Sequence, residues 1–217
     1  MKKNQIYIIL LFIFISATQV FSQELVFGTQ NFPPFSYTSN EGVAKGPGVQ
    51  LIKAVCKEAQ LKYAFKIGLW QGIQNRVKNK RSKINSLFFL GKNTKREKWL
   101  YFTPPIIQTE YGFFAKKDSR IRYTKNKKTK NRLSSYTIGV YGPSNTERVL
   151  KKLQKAGGGF AIKIFRDSGS TLKNLSFRNS LSMVFSNREV GMSIIDKNNY
   201  VEKKSAFRSP AINCDFI

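Results

Sequence analysis

Short, β-rich apolar runs alternate with segments of helical period, twice over, on either side of a lysine-rich stretch, and this alternation limits the fold more than any other feature. On the first side, Leu25–Thr29, Tyr63–Ile67, Ile84–Leu90 and Tyr111–Ala115 read as strands. Between them, Val49, Ile52, Val55, Cys56 and Ala59 recur at helical spacing. Trp70–Lys80 reads as a basic helix and Asn93–Leu100 as a short helical turn. On the second side, Tyr136–Tyr141, Ala161–Phe165 and Val190–Ile195 read as strands. Helices are expected after Ser144 or Asn145, either of which can serve as N-cap, and broadly over Thr171–Ser186. Strands alternating with helices argue for an α/β fold, and two such sets argue for two lobes.

The first residues stand outside that pattern. Lys2 and Lys3 precede a short apolar run, Ile6–Ala17, well under the roughly 20 residues a membrane helix needs. Val20 and Ser22 then fit the small-residue pattern of a signal-peptidase site. Residues 1–22 read as a cleaved secretory signal, with an uncleaved anchor as the alternative. The expected division is then lobe one at 23–115, a basic connector or hinge at 116–132, lobe two at 133–207 and a return crossing at 208–217. Export permits a disulfide. Cys56, however, lies on an apolar helical stripe and reads as a buried thiol, and Cys56 and Cys214 have no metal-ligand spacing.

Several chemistries are missing. The chain has no histidine, which removes the commonest general base and the usual zinc ligand. Its 12 acidic residues are scattered singly, with no local carboxylate pair. No Walker loop or GxGxxG is present, and Ser170–Lys173 spells SxxK without its companion motifs. A binding protein without cofactor or metal is expected, rather than an enzyme. The formal charge of +26 peaks in density at residues 116–132. Such a run reads as a solvated linker, or as a hold on an anionic surface such as lipid headgroups or nucleic acid.

One local feature raises a sharper question. Immediately after the first strand, Pro33 and Pro34 stand between Phe32 and Phe35. The corner is either simply buried or part of a binding surface. Ligands of open α/β sheets sit beyond the carboxyl ends of strands, and this corner lies at such an end.

Four stretches, in this order, resemble the family 3 extracellular solute-binding proteins. They are GTQNFPPFSY from Gly28, GPGVQLIKAVCKEAQL from Gly46, NSLFFLGKNTKREKWLYFTPPI from Asn85 and TIGVYGPSNTERVL from Thr137. The likeness covers about residues 24–200. It implies a two-lobe type II periplasmic-binding fold that closes on a small solute for an ABC permease or a membrane sensor, as a monomer. It also implies that Arg96 pairs with a solute carboxylate, that Phe32 and Trp70 form aromatic walls, and that Ser144 and Asn145 close the site from lobe two. Phe35 reads as core. The chain departs from the family at Asn85, which stands for an Asp, and at Asn93, which stands for the Thr of T-x-x-R. The ammonium-binding Asp would fall at Glu189, Val190 or Gly191. The family continues beyond the point where this chain stops, so the closing elements of the fold are expected to be missing. The expected solute carries a carboxylate or another anion.

Overall fold

The computed structural model describes residues 24–116, 119, 135–177, 180–197 and 205–216. The expected signal segment lies outside these residues, and so does the basic connector apart from Lys116 and Ser119. Among the described residues, no helix is long and apolar enough to cross a membrane.

Lobe one is built on a parallel sheet of order β4-β1-β5, with β1 at Leu25–Gln30, β4 at Tyr63–Gly68 and β5 at Ile84–Leu87. A small antiparallel pair, β2 (Tyr37–Thr38) and β3 (Ala44–Lys45), leads into helix α1, Pro47–Glu58. Pro47 occupies the first helical position, where its missing N–H costs nothing. Gly46 precedes it at φ 114°, a backbone conformation that a side chain disfavours. Helix α2, Trp70–Lys78, buries Trp70 and Ile73 against Ile84 and Leu90. Asn85 has a structural role, since its Oδ1 accepts from the backbone of Val26 at 2.8 Å and ties β5 to β1.

Lobe two carries a five-stranded sheet of order β10-β6-β9-β7-β8. Here β6 is Ile107–Lys116, β7 is Thr137–Tyr141, β8 is Ala161–Phe165, β9 is Met183–Asn187 and β10 is Ser205–Phe216. β7 runs parallel to β8 and β9, while β6 runs antiparallel to β9 and β10. The sheets therefore do not divide at residue 115. β6, expected in lobe one, pairs with β9 over Tyr111–Phe114, and the crossing is made by the long β6–β10 ribbon. Phe113 and Phe185 meet across that pairing at 4.8 Å between ring centroids.

The stretch Val190–Ile195, expected as a strand, is helical within α6, Arg188–Lys197. The strand lies just before it, in β9, where every residue is buried. The helix expected over Thr171–Ser186 is α5, Ser168–Phe177, and it ends well before that strand. Asn187 decides the boundary, because its Oδ1 accepts from Val190 N at 3.0 Å and caps α6. Val190 and Ile194, four residues apart, then face the core together.

The helical stripe of α1 is only partly covered. Val49 and Cys56 are buried, but Val55 is 55% exposed. With Leu51 and Ile106 it lines an apolar groove of about 490 Å³ on the outside of lobe one. On the inner side, α1 packs so closely that a Cβ at Gly48 would overlap the Phe89 ring. Replacing Gly48 with Ala should therefore overpack lobe one and cost about 1–3 kcal/mol. A lowered urea midpoint at unchanged slope would show it.

Candidate functional site

The Phe-Pro-Pro-Phe corner is a closed loop. Phe32 N donates to Ser36 O at 2.6 Å, and Ser36 N returns the bond at 3.1 Å. The Pro33–Pro34 peptide is cis. The corner separates its two rings by role. Phe35 packs on Phe89 at 5.3 Å in the core, whereas Phe32 stacks on Phe35 and lines the seam between the lobes. Phe89 also lines the seam and has φ 53°, rare for an aromatic residue.

Arg96 sits where the lobes meet and is 8% exposed. Its helix, α3 (Thr94–Glu97), is capped by Asn93, whose Oδ1 accepts from Lys95 N and Arg96 N at 3.1 Å each. Asn93 thus acts as a cap and also lines the outer cleft. The guanidinium donates through Nη1 to Gly91 O at 2.7 Å. Through Nε and Nη2 it donates to Gln74 Oε1 at 3.2 and 3.1 Å. It also lies 5.5 Å from the Trp70 ring centre, a cation–π contact. Burial pulls its pKa down to about 10, with Tyr111 opposing the shift and Arg148 adding to it. The group stays cationic at neutral pH.

Lobe two contributes the carboxyl end of β7 and the start of helix α4, Asn145–Leu153. Ser144 is the N-cap. Its Oγ accepts from Glu147 N at 3.1 Å and donates to Tyr141 O at 2.5 Å. Asn145 is the first helical residue; it donates to Tyr111 Oη at 3.3 Å and accepts from Arg148 Nη2. Tyr141 reaches across to lobe one and donates its hydroxyl to Gln30 Oε1 at 3.0 Å. Burial, with Asp167 nearby, raises the Tyr141 phenol to about 12, so the donor keeps its proton.

The seam has two compartments. The inner one, lined by Phe32, Trp70, Arg96, Tyr111 and Tyr141 among others, measures about 20 Å³, room for little more than one water. The outer cleft measures about 450 Å³, the size of a small-molecule site. Arg96, Ser144 and Asn145 line both compartments. The six residues singled out from sequence, Phe32, Trp70, Asn93, Arg96, Ser144 and Asn145, therefore all meet at this seam. Sequence reasoning missed Gln30, Gln74, Tyr141 and Arg148. Gln30 and Tyr141 end strands, a position that could have flagged them, and Gln74 lies one turn from Trp70. The three positions proposed for the ammonium-binding acid do not line either compartment. Glu189 accepts from Thr109 Oγ1 at the β6–α6 contact, while Val190 and Gly191 are buried there.

Two α/β lobes joined by an antiparallel ribbon, with a cationic cleft between strand ends, define a type II periplasmic-binding fold. The chain belongs to the bacterial extracellular solute-binding proteins, family 3, whose model matches residues 25–205. It is 25% identical over 134 residues to an arginine-binding periplasmic protein of Mannheimia haemolytica, covering 62% of this chain and 52% of that one. The chain thus spans about half the length of this curated relative. In fold it is similar to a histidine kinase sensor domain that resembles periplasmic binding proteins, with TM-score 0.75 and 19% identity over 89% of this chain and 80% of that one. It is also similar to ArtJ, the arginine-, lysine-, histidine-binding protein of Geobacillus stearothermophilus, with TM-score 0.73 and 21% identity over 89% and 80%.

The Tyr141–Gln30 bond joins the lobes directly. Tyr141→Phe should remove about 0.5–1.5 kcal/mol of closed-state stability and shift the lobes toward opening. Small-angle scattering would report a larger radius of gyration than for the parent protein.

Proposed function

We propose that this protein is an exported, periplasmic receptor that captures a small, amino-acid-like solute bearing a carboxylate between its two lobes. The observation that carries this reading is the buried Arg96 guanidinium, which opens onto a cleft of about 450 Å³. A planar fork of donors matches a carboxylate bidentately, and water exclusion strengthens the pairing. Gln74 and the Gly91 carbonyl fix the plane of the fork. Phe32 and Trp70 are the apolar walls, and Ser144 with Asn145 presents the amino end of α4 from the other lobe. The solute acts by favouring the closed arrangement, shifting an open–closed equilibrium by its differential affinity.

The family and the arginine-binding relative support an amino-acid ligand class. Arginine itself fits less well, because the outer cleft is lined by Lys78, Lys95, Arg148 and Lys151, which repel a cationic side chain. The closed form would be read by an ABC permease or by a membrane sensor. The likeness to the binding protein of an amino-acid ABC transporter and to a kinase sensor domain supports both outputs. The protein acts as a monomer and as a carrier rather than an enzyme.

Titration calorimetry against a panel of amino acids and carboxylates tests this. A single solute should bind the parent protein, and Arg96→Gln should weaken it by about 10- to 100-fold, the loss of one to two charge-assisted bonds. Arg96→Lys should not restore it, since an ammonium lacks the fork. Unchanged affinity in Arg96→Gln would remove the anchor.

A further inference from the structure

We infer that the cleft takes a solute with two anionic groups, one held by Arg96 and the second by Arg148, so that the ligand class is a dicarboxylate or an acidic amino acid. This rests on the proposed receptor function and narrows it.

The outer cleft carries cations on both walls. Lobe one provides Lys78, Lys95 and Arg96, and lobe two provides Arg148 and Lys151. One carboxylate lines the cleft with them, Glu147, and Lys151 holds it at 2.5 Å one helical turn away. Among the described residues, the arginines have no such compensation. The hydrogen bonds of Arg96 go to an amide oxygen and a backbone carbonyl, both neutral. Arg148 donates through Nη2 to the amide oxygen of Asn145, and its Nε is buried with no hydrogen-bond partner. A buried guanidinium N–H without an acceptor is costly, and a charged donor more so. The two guanidinium groups also act on each other, because Arg148 is one of the causes that lower the pKa of Arg96.

A monocarboxylate satisfies one of these groups and leaves the other unpaired. A second carboxylate pairs with Arg148 where it lines the cleft and offsets the repulsion between the walls, while the buried Nε itself stays out of a solute's reach. Among the described residues lining the cleft, the α-ammonium of an amino acid, by contrast, finds only Glu147, which it must share with Lys151. The second anionic group is therefore the stronger recognition element. The side-chain amides of Gln71 and Asn75 line the same cleft and can orient it by hydrogen bonding.

Calorimetry with L-glutamate, L-glutamine, glutarate, L-lysine and inorganic phosphate tests the inference. Glutamate and glutarate should bind the parent protein at least about tenfold more tightly than glutamine, and lysine should bind weakest. In Arg148→Gln, glutamate should fall to the affinity of glutamine, closing a double-mutant cycle between the side chain and the solute carboxylate. Arg148→Lys, which keeps the charge, should retain part of the preference and covers the case in which the Gln variant does not fold. A preference for glutamate that survives in Arg148→Gln would overturn the inference, as would equal binding of glutamine and glutamate to the parent. If phosphate binds as tightly as the dicarboxylates and loses affinity equally in Arg148→Gln, the site is a general anion site and the dicarboxylate assignment falls. Arg96-dependent glutamine binding without a dianion preference would sink this inference alone. No binding by any member of the panel would remove the receptor reading with it.

Discussion

A guanidinium buried at the seam between two lobes, with only neutral partners, is the constraint that the surrounding structure serves. Taking a charge out of water costs several kcal/mol unless the site supplies donors, acceptors or an opposite charge. Arg96 is 8% exposed, and its acceptors come from two places, Gln74 on α2 and the Gly91 carbonyl beyond β5. The Gly91 carbonyl is set by the turn that leaves β5, where Phe89 takes a left-handed backbone conformation. That turn is in turn held by Phe35 of the corner and by the close approach of Gly48 in α1. The packing of lobe one and the pose of the cation are therefore one arrangement. A side chain at Gly48 would press on Phe89, which itself lines the inner compartment.

Lobe two meets this site with polar contacts set beside apolar ones, since one buried cluster holds both Phe32 and Phe89 of lobe one and Tyr111 of β6, and Tyr141 packs against the Trp70–Leu90 cluster. Tyr141 bonds Gln30 and Asn145 bonds Tyr111, while the inner compartment is almost filled. Single hydrogen bonds of this kind contribute about 0.5–1.5 kcal/mol each. Contacts of that size add direction to the seam without dominating its energy. The β6–β10 ribbon pairs Ile107–Lys116 with Ser205–Phe216, its register interrupted between Arg208 and Ile212.

Much of this was readable from residues. β1, β4, α2 and β8 fall where apolar runs and helical spacing place them. The six candidate residues also meet at one seam, since the family's motifs lie at strand ends and helix starts. The failures have physical causes. Val190–Ile195 looks like a strand because β-branched and small residues fill it, but a one-residue cap at Asn187 sets the boundary. β6 was read with the first sheet and pairs in the second, because nothing local distinguishes a strand of one sheet from a strand of another; pairing decides it. Arg148 is the most instructive omission. Within TERVLKKL it reads as one more cation on a solvated helix face. Only the folded structure shows that its Nε is buried without a hydrogen-bond partner.

That burial gives the high positive charge a local meaning that composition could not. Arg148 and Lys151 share the cleft with Lys78, Lys95 and Arg96, so any closure of the lobes on an empty cleft would press like charges together, and in a shielded space these repel more strongly than in water. The repulsion favours the open arrangement. An anion in the cleft changes the sign of the same interaction, because each wall then faces a negative charge. The energy that opposes empty closure becomes energy that supports filled closure, so the difference between the two states depends steeply on the ligand. Under the proposed function, such a dependence would keep the empty protein from presenting its closed form. Surface lysines elsewhere on the chain, being solvated and screened within about 8–10 Å at physiological salt, add little to that balance.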